Sequence, residues 1–191
     1  MSAAPHVGPE VILDEPAFIH PTALLYGKVR LSRGASVWPY AVFRAEMFEI
    51  VVGERTNVQD FVMVHVGFSS RTTIGNDCSI THHATLHGCE IGDECLIGIG
   101  ATVMDGAVIG AGSIVAGHAI VTEGSIFPEH SIIAGAPAKL VKTRNNRAEN
   151  RRNALFYHLN ALNYVRGIDR LRPEDFALLT ASAQAGGNPA D

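Results

Sequence analysis

The chain has little charge: Asp, Glu, Lys and Arg make up 18% of its 191 residues, and the formal net charge is −4. Without a basic stripe interleaved with aromatics, no field strong enough to hold nucleic acid or an anionic membrane surface is expected. Long apolar runs are missing as well, and none approaches the roughly 18 residues of a membrane-spanning helix. The first residues, MSAAPHVGPEVILDEP, carry neither a basic start nor an apolar stretch, so a soluble, cytoplasmic protein with no membrane or nucleic-acid partner is expected. Cysteine is scarce: Cys78, Cys89 and Cys95 are an odd number and lack the Cys-x-x-Cys spacing of a zinc module, which fits a reducing compartment.

What the chain has is a period. Large aliphatic or aromatic residues recur at every sixth position from Ile91 through Ile97, Val103, Ile109, Val115, Val121 and Phe127 to Ile133. Small residues follow four positions later at Cys95, Ala101, Ala107, Ser113, Ala119 and Ser125. Shorter runs keep the same beat: Ile19, Leu25, Leu31, Val37 and Phe43; Val52, Val58 and Val64; Ile74, Ile80 and Leu86. The breaks between runs read as loops or a one-residue deletion. A helix would repeat its apolar face every 3.6 residues and a strand every two, so a strict six requires short strands separated by regular corners. The fold is a β-solenoid over residues 1–140, with the aliphatics inside and the small residues at the corners. Cys78 and Cys95 occupy such corners, and Cys89 sits in a shortened step. Trp38 and Tyr40 are expected to pack near the base of the prism.

The period stops at Pro137. A helical segment over 141–180 is expected, with one helix from Ala148 to Val165 whose Leu155, Leu159, Leu162 and Val165 form the face docked along the solenoid. Gly167 ends it, and a second short helix starts at Pro173 with Glu174 and Asp175 in its first turn. Residues 181–191 are expected to be disordered. The arginines around the first helix start do not suit the helix dipole, and the sequence offers no account of them.

Three histidines fall within 80-ITHHATLHGC-89. By spacing alone His82 with His87, or His83 with His87, could share a metal, and all three could be ordinary core or turn residues. The repeat register separates these options. If three repeat steps complete a coil, residues three steps apart stack on one face, roughly 4.8 Å apart. Stepping from Phe43 to Val64 to Leu86 then places Arg44, His65 and His87 in one column. His82, two residues after Ile80, falls on the preceding face, as do Gln59 and Asp60 after Val58. A face cannot bend around its own corner, so His82 can meet the column only if a second subunit presents it. Cyclic symmetry closes such a contact, giving a homotrimer with three interfacial sites. Three imidazoles with one open position are the arrangement of a catalytic zinc.

The segments 44-RAE-46, 56-TNVQDFVMVH-65, 80-ITHHATLHGC-89, 91-IGDECLIGIGATVMDGAVIG-110 and 163-NYV-165 resemble those of the γ-class carbonic anhydrases. The resemblance implies an all-β fold, a left-handed parallel β-helix of hexapeptide repeats with a C-terminal α-helix packed along it. It implies reversible hydration of carbon dioxide to bicarbonate by metal-bound hydroxide. His65, His82 and His87 would be the metal ligands, Gln59 would orient the attacking water, and Arg44 with Asp60 would form an ion pair bridging subunits. Tyr164 matches a family tyrosine that approaches the metal. Zinc is the expected metal, although three imidazoles also suit Fe(II) or Co(II).

The departures are chemical. Ala45 and Glu46 replace the usual Gly and Asp, Thr81 stands where Gly is usual, Met47 occupies the place of a proton-shuttling glutamate, and 66-VGFSSRTT-73 has no carboxylate. Fast proton transfer then needs a substitute: His83 could serve if it reached solvent near the metal, and otherwise it is a polar surface residue. Two other functions compete: a non-catalytic, metal-binding trimeric scaffold, favoured by the missing carboxylates, and a hexapeptide-repeat acyltransferase, which needs only one histidine as general base.

Overall fold

Strands of two or three residues cannot pair with their sequence neighbours across a hairpin; their backbone hydrogen bonds go to the coils before and after. The computed structural model, which describes residues 6–185, is a parallel β-solenoid of triangular section. On its first face, Val42–Arg44, Met63–His65, Thr85–His87, Thr102–Val103 and Ile120–Val121 pair in parallel register. The second face stacks Ile50–Val52, Thr72–Ile74, Glu90–Ile91, Val108–Ile109 and Ile126–Phe127. The third stacks Phe18–Ile19, Ser36–Val37, Asn57–Val58, Ser79–Ile80, Leu96–Ile97, Ile114–Val115 and Ile132–Ile133.

The sixth-position aliphatics fill the prism: Leu25, Phe43, Val64, Leu86, Val103 and Val121 all lie fully buried in one inner column. Cys78, Cys95, Ala101, Ala107 and Ser113 are buried at its corners. The break expected between Phe43 and Val52 is not a loop. Val42–Val52 is one strand that pairs on two faces, with Glu46 to Glu49 standing out into solvent.

Beyond Gly135 the chain reverses into Ala138–Thr143, which pairs antiparallel with Ser131–Gly135 and carries strand structure past the expected boundary at 140. Helix α1, Arg147–Val165, then runs back along the third face. Its buried residues are Asn150, Ala154, Leu159, Ala161 and Asn163; the leucine stripe contributes only Leu159 fully, and Val165 is exposed. Small and amide side chains let the helix approach closely enough for Asn150 Nδ2 to donate to the carbonyl oxygens of Glu94 (2.8 Å) and Ser113 (3.3 Å). The arginines at its start find partners on the prism: Arg147 and Arg151 both pair with buried Glu94, at 3.2 and 2.8 Å. Gly167, with φ +74°, follows the helix end. Helix α2, Pro173–Ala185, reaches into the segment expected to be disordered, and residues 186–191 lie outside the described ones. No helix among the described residues is long and apolar enough to cross a membrane.

Candidate metal centre

The first face sets out one column in register: Arg44 beside His65, and His65 beside His87. His65 Nδ1 lies 3.0 Å from His87 Nε2. The outer nitrogen of each ring meets a carboxylate: His65 Nε2 is 3.0 Å from Glu46 Oε2, and His87 Nδ1 is 2.7 Å from Asp105 Oδ2. An ionised carboxylate only accepts, so each outer nitrogen carries the hydrogen and donates. The two inner nitrogens then face each other with lone pairs. Neutral rings so held repel, and the contact becomes favourable with a positive centre between them, a shared proton or a metal ion. Two ligands of a tetrahedral zinc with bonds near 2.0 Å are about 3.3 Å apart, close to the separation seen.

Glu46 is tied on both sides, to His65 and to Arg44 Nη1 at 3.1 Å. Partial burial pushes its carboxyl upward, but its own backbone N–H, the His65 hydrogen bond and the Arg44 charge outweigh this and hold it below its ordinary value. Met47, Val66 and Phe68 complete the hollow around the two rings, of about 420 Å³.

His82 stands on the third face, as the register requires, with its Nδ1 3.0 Å from Asp60 Oδ2. Its Nε2 is 3.4 Å from the Tyr157 hydroxyl of α1. Burial, then the Asp60 charge, pushes the Tyr157 phenol up, which keeps it a donor. These residues line a hollow of about 610 Å³ with Trp38, Tyr164 and Phe176. Tyr164 packs edge-on against Trp38, ring centres 5.1 Å apart. Gln59 is buried, its Nε2 donating to Asn57 Oδ1 at 2.9 Å. His83 sits at an exposed corner and stacks on Phe61, ring centres 4.9 Å apart.

The chain thus brings together Arg44, His65 and His87, and separately Asp60 and His82. Arg44 and Asp60 do not pair with each other within one chain; each has taken a different partner. No group of three potential ligands forms among the described residues. Three contributors escaped the sequence reading. Glu46, noted in the sequence only as a replacement for the usual Asp, meets both Arg44 and His65. Tyr157, one helical stretch before Tyr164, is the tyrosine that reaches His82. Asp105 holds His87; the count that stacks His87 on His65 continues to Met104, and Asp105 is the next residue along. Across the three histidines the pattern is uniform: Glu46, Asp60 and Asp105 each hold one ring by one nitrogen. Such carboxylate–histidine pairs orient and enrich the ligand nitrogen of metal sites, so the donor set fits a divalent ion of the zinc type.

A family model described as bacterial transferase hexapeptide (six repeats) matches residues 88–123. Over 101 residues the chain is 43% identical to gamma carbonic anhydrase 1, mitochondrial, of Arabidopsis thaliana, a match covering 50% of this chain and 37% of that protein. It is 34% identical over 108 residues to protein YrdA of Escherichia coli strain K12, covering 53% of this chain and 55% of the other. The chain therefore spans about a third to just over half the length of these curated relatives. The solved structure of a hexapeptide transferase family protein from Anaplasma phagocytophilum superposes with a TM-score of 0.74 at 33% identity, covering 82% of this chain and 92% of that one.

Proposed function

The chain belongs to the hexapeptide transferase family of repeat proteins, and from that premise we propose that it is a zinc-dependent carbonic anhydrase of the γ type, a homotrimer with its sites between subunits. The observation that carries the reading is the facing pair His65 and His87, each with its outer nitrogen on a carboxylate. Similarity to a plant gamma carbonic anhydrase over half the chain supports it.

His65 and His87 of one copy, with His82 of a neighbouring copy, would hold the ion. Zinc there would supply a Lewis acid that lowers the pKa of water to about 7; Fe(II) or Co(II) would also suit three imidazoles. Gln59, fixed by Asn57, orients the attacking water through its carbonyl oxygen. Arg44 of one copy and Asp60 of the next bridge the subunits, a pair that contributes register more than net stability. Met47, Val66 and Phe68 give carbon dioxide, an apolar substrate, an apolar approach, and Tyr164 flanks the hollow from which His82 is reached. His83 would pass the proton to solvent.

Zinc content, mass by light scattering and carbon dioxide hydration, measured on the wild type and on His82→Ala, test this reading. The expected outcome is a trimer with one zinc per chain that loses metal and activity in the variant. A zinc-free trimer, or full activity without His82, overturns the assignment.

One observation favours a second reading, a metal-holding scaffold without turnover: among the described residues lining the hollow around His65 and His87, the single carboxylate, Glu46, is already bound to both Arg44 and His65. A zinc-loaded trimer that does not hydrate carbon dioxide would establish it. The acyltransferase reading rests on the family's fold, and acetyl transfer from acetyl-CoA by a zinc-free protein would establish that instead.

A further inference from the structure

We propose that Asp105 is a positioning residue whose carboxylate, seated by Gly67, Gly88 and Ser70, fixes the proton of His87 on Nδ1 and so presents Nε2 bare to the metal. The metal consequence rests on the anhydrase reading above; the placement of the proton does not.

The carboxylate is placed by more than its contact with the ring. Its Oδ2 lies 2.7 Å from His87 Nδ1, within the charge-assisted range, and its Oδ1 accepts from Ser70 Oγ at 3.3 Å. Two glycines make the space it occupies. A Cβ at Gly67 would fall 1.8 Å from Asp105 Oδ1, and one at Gly88 would fall 2.4 Å from the same atom. Three backbone segments hold this seat together: Gly106 N–H donates to Gly88 O at 2.8 Å, and Gly67 N–H donates to Ser70 O at 2.9 Å. The turn after Val103 therefore hangs its aspartate over the ring one coil below, while the loop after His65 curls round to close the far side.

A carboxylate in this seat can only accept, so the facing His87 nitrogen must carry the hydrogen. The lone pair is left on Nε2, which points at His65 Nδ1. Without the carboxylate, the neutral ring is at liberty to put its hydrogen on Nε2, the atom a metal needs unprotonated. Removing an orienting partner of this kind weakens metal binding by about 10- to 100-fold.

Two variants address the seat differently. Asp105→Ala removes the carboxylate. Gly67→Ala removes no polar group but crowds both the Asp105 carboxylate and Ser70 Oγ out of the seat; Gly67 does not lie in the left-handed region, so its backbone accepts alanine. Nitrogen-15 NMR of the full-length, metal-free protein at about pH 9, where unpaired imidazoles are neutral, reads which nitrogen of His87 carries the hydrogen. Zinc affinity is read by competition with a chromogenic chelator. The wild type should show the Nδ1–H form. Both variants should lose it and bind zinc about 10- to 100-fold more weakly, and Asp105→Asn, which keeps an acceptor oxygen, should recover part of both. Loss of stability with the Nδ1–H form retained in Asp105→Ala would overturn the proposal, as would wild-type zinc affinity in that variant. A wild type that binds no zinc would instead overturn the anhydrase reading, and the nitrogen spectra would still decide the role of Asp105. If Gly67→Ala does not fold, Asp105→Ala and Asp105→Asn decide it.

Discussion

His65 and His87 lie side by side in adjacent coils, paired in strand register and with Nδ1 facing Nε2 at 3.0 Å. The pairing follows from the stacking of Val64 under Leu86 inside the prism, so the site is as rigid as the core that carries it. Stability and ligand geometry therefore share one origin, and a variant of either ring should leave the solenoid folded while removing the metal.

His65→Ala or His87→Ala should reduce bound zinc to background at equal protein, with circular dichroism unchanged. In the wild type, a strong chelator should lower the melting temperature, because an ion bound only by the native trimer stabilises it in proportion to RT ln(1 + [L]/Kd). A melting temperature that ignores both zinc and chelator would count against any metal at this position.

Complementation tests whether His82 works across subunits. His82→Ala and His87→Ala chains, each inactive alone, should regain zinc when unfolded and refolded together, since about a quarter of randomly formed interfaces unite an intact His82 with an intact His65–His87 pair. A site built within one chain cannot be repaired in this way. Recovery of neither zinc nor activity, with mixed trimers demonstrated by mass, would exclude the shared site.

The parts of this site differ in how far they could be read from the sequence. Arg44, His65 and His87 were legible because a period of six is an inward-facing signal, and once it is counted the outward neighbours are fixed too. The placement of His82 on another face followed from the same count. Asp105 was not legible, because its contact depends on the exact turn after Val103 and on the empty space at Gly67, and neither leaves a mark on hydrophobic periodicity. Tyr157 was missed for a related reason: the rotation of α1 is set by Asn150, Ala154 and Ala161 against the third face, whereas a leucine stripe suggested a different rotation. The antiparallel strand Ala138–Thr143 carries five outward positions in its six residues, too little apolar pattern to announce a strand.

The cysteines give a prediction about alkaline stability. Burial, against the opposing hydrogen bond from the backbone at His87, pushes the Cys89 thiol up from an ordinary 9.0 to about 12, and burial likewise raises Cys78. A thiol whose native pKa is raised contributes stability that is complete below about pH 9 and is lost as pH rises toward 12. Melting temperatures should fall over that window, and Cys89→Ala should flatten the fall. Because all three cysteines are buried, a disulfide reagent at about pH 8 should leave them unmodified until the protein unfolds.

Asp175 behaves in the opposite sense. Asn163 Nδ2 donates to it at 2.7 Å and the Arg172 backbone N–H at 2.8 Å, which together with the Arg172 guanidinium hold its carboxyl down to about 2. As the third residue of α2 reaching back to the N–H before the helix, it caps α2 and ties it to α1. Because the native pKa is depressed, the contribution is complete above about pH 4 and is lost as pH falls through 2. Hydrogen exchange in α2 should accelerate in that acid window before the solenoid is affected, and Asp175→Asn should show the faster exchange already at neutral pH. Uniform protection of both helices down to the global acid transition would contradict this local role.

His83 carries the last prediction, because the place where a proton-shuttling carboxylate is expected holds Met47. Its ring is exposed, neighbours His82 in sequence, and stacks within 1° of parallel on Phe61, which fixes it without engaging either nitrogen. A histidine held by its face leaves its ring nitrogens available to exchange protons with water. His83→Ala should therefore keep full zinc and trimer mass but lose turnover by about 100-fold or more in dilute buffer, and added imidazole should restore it. Phe61→Ala, which only loosens the ring, should fall between the two. If turnover in His83→Ala matches the wild type at every buffer concentration, the proton leaves by another route, and Glu46, tied between Arg44 and His65, becomes the group to substitute next.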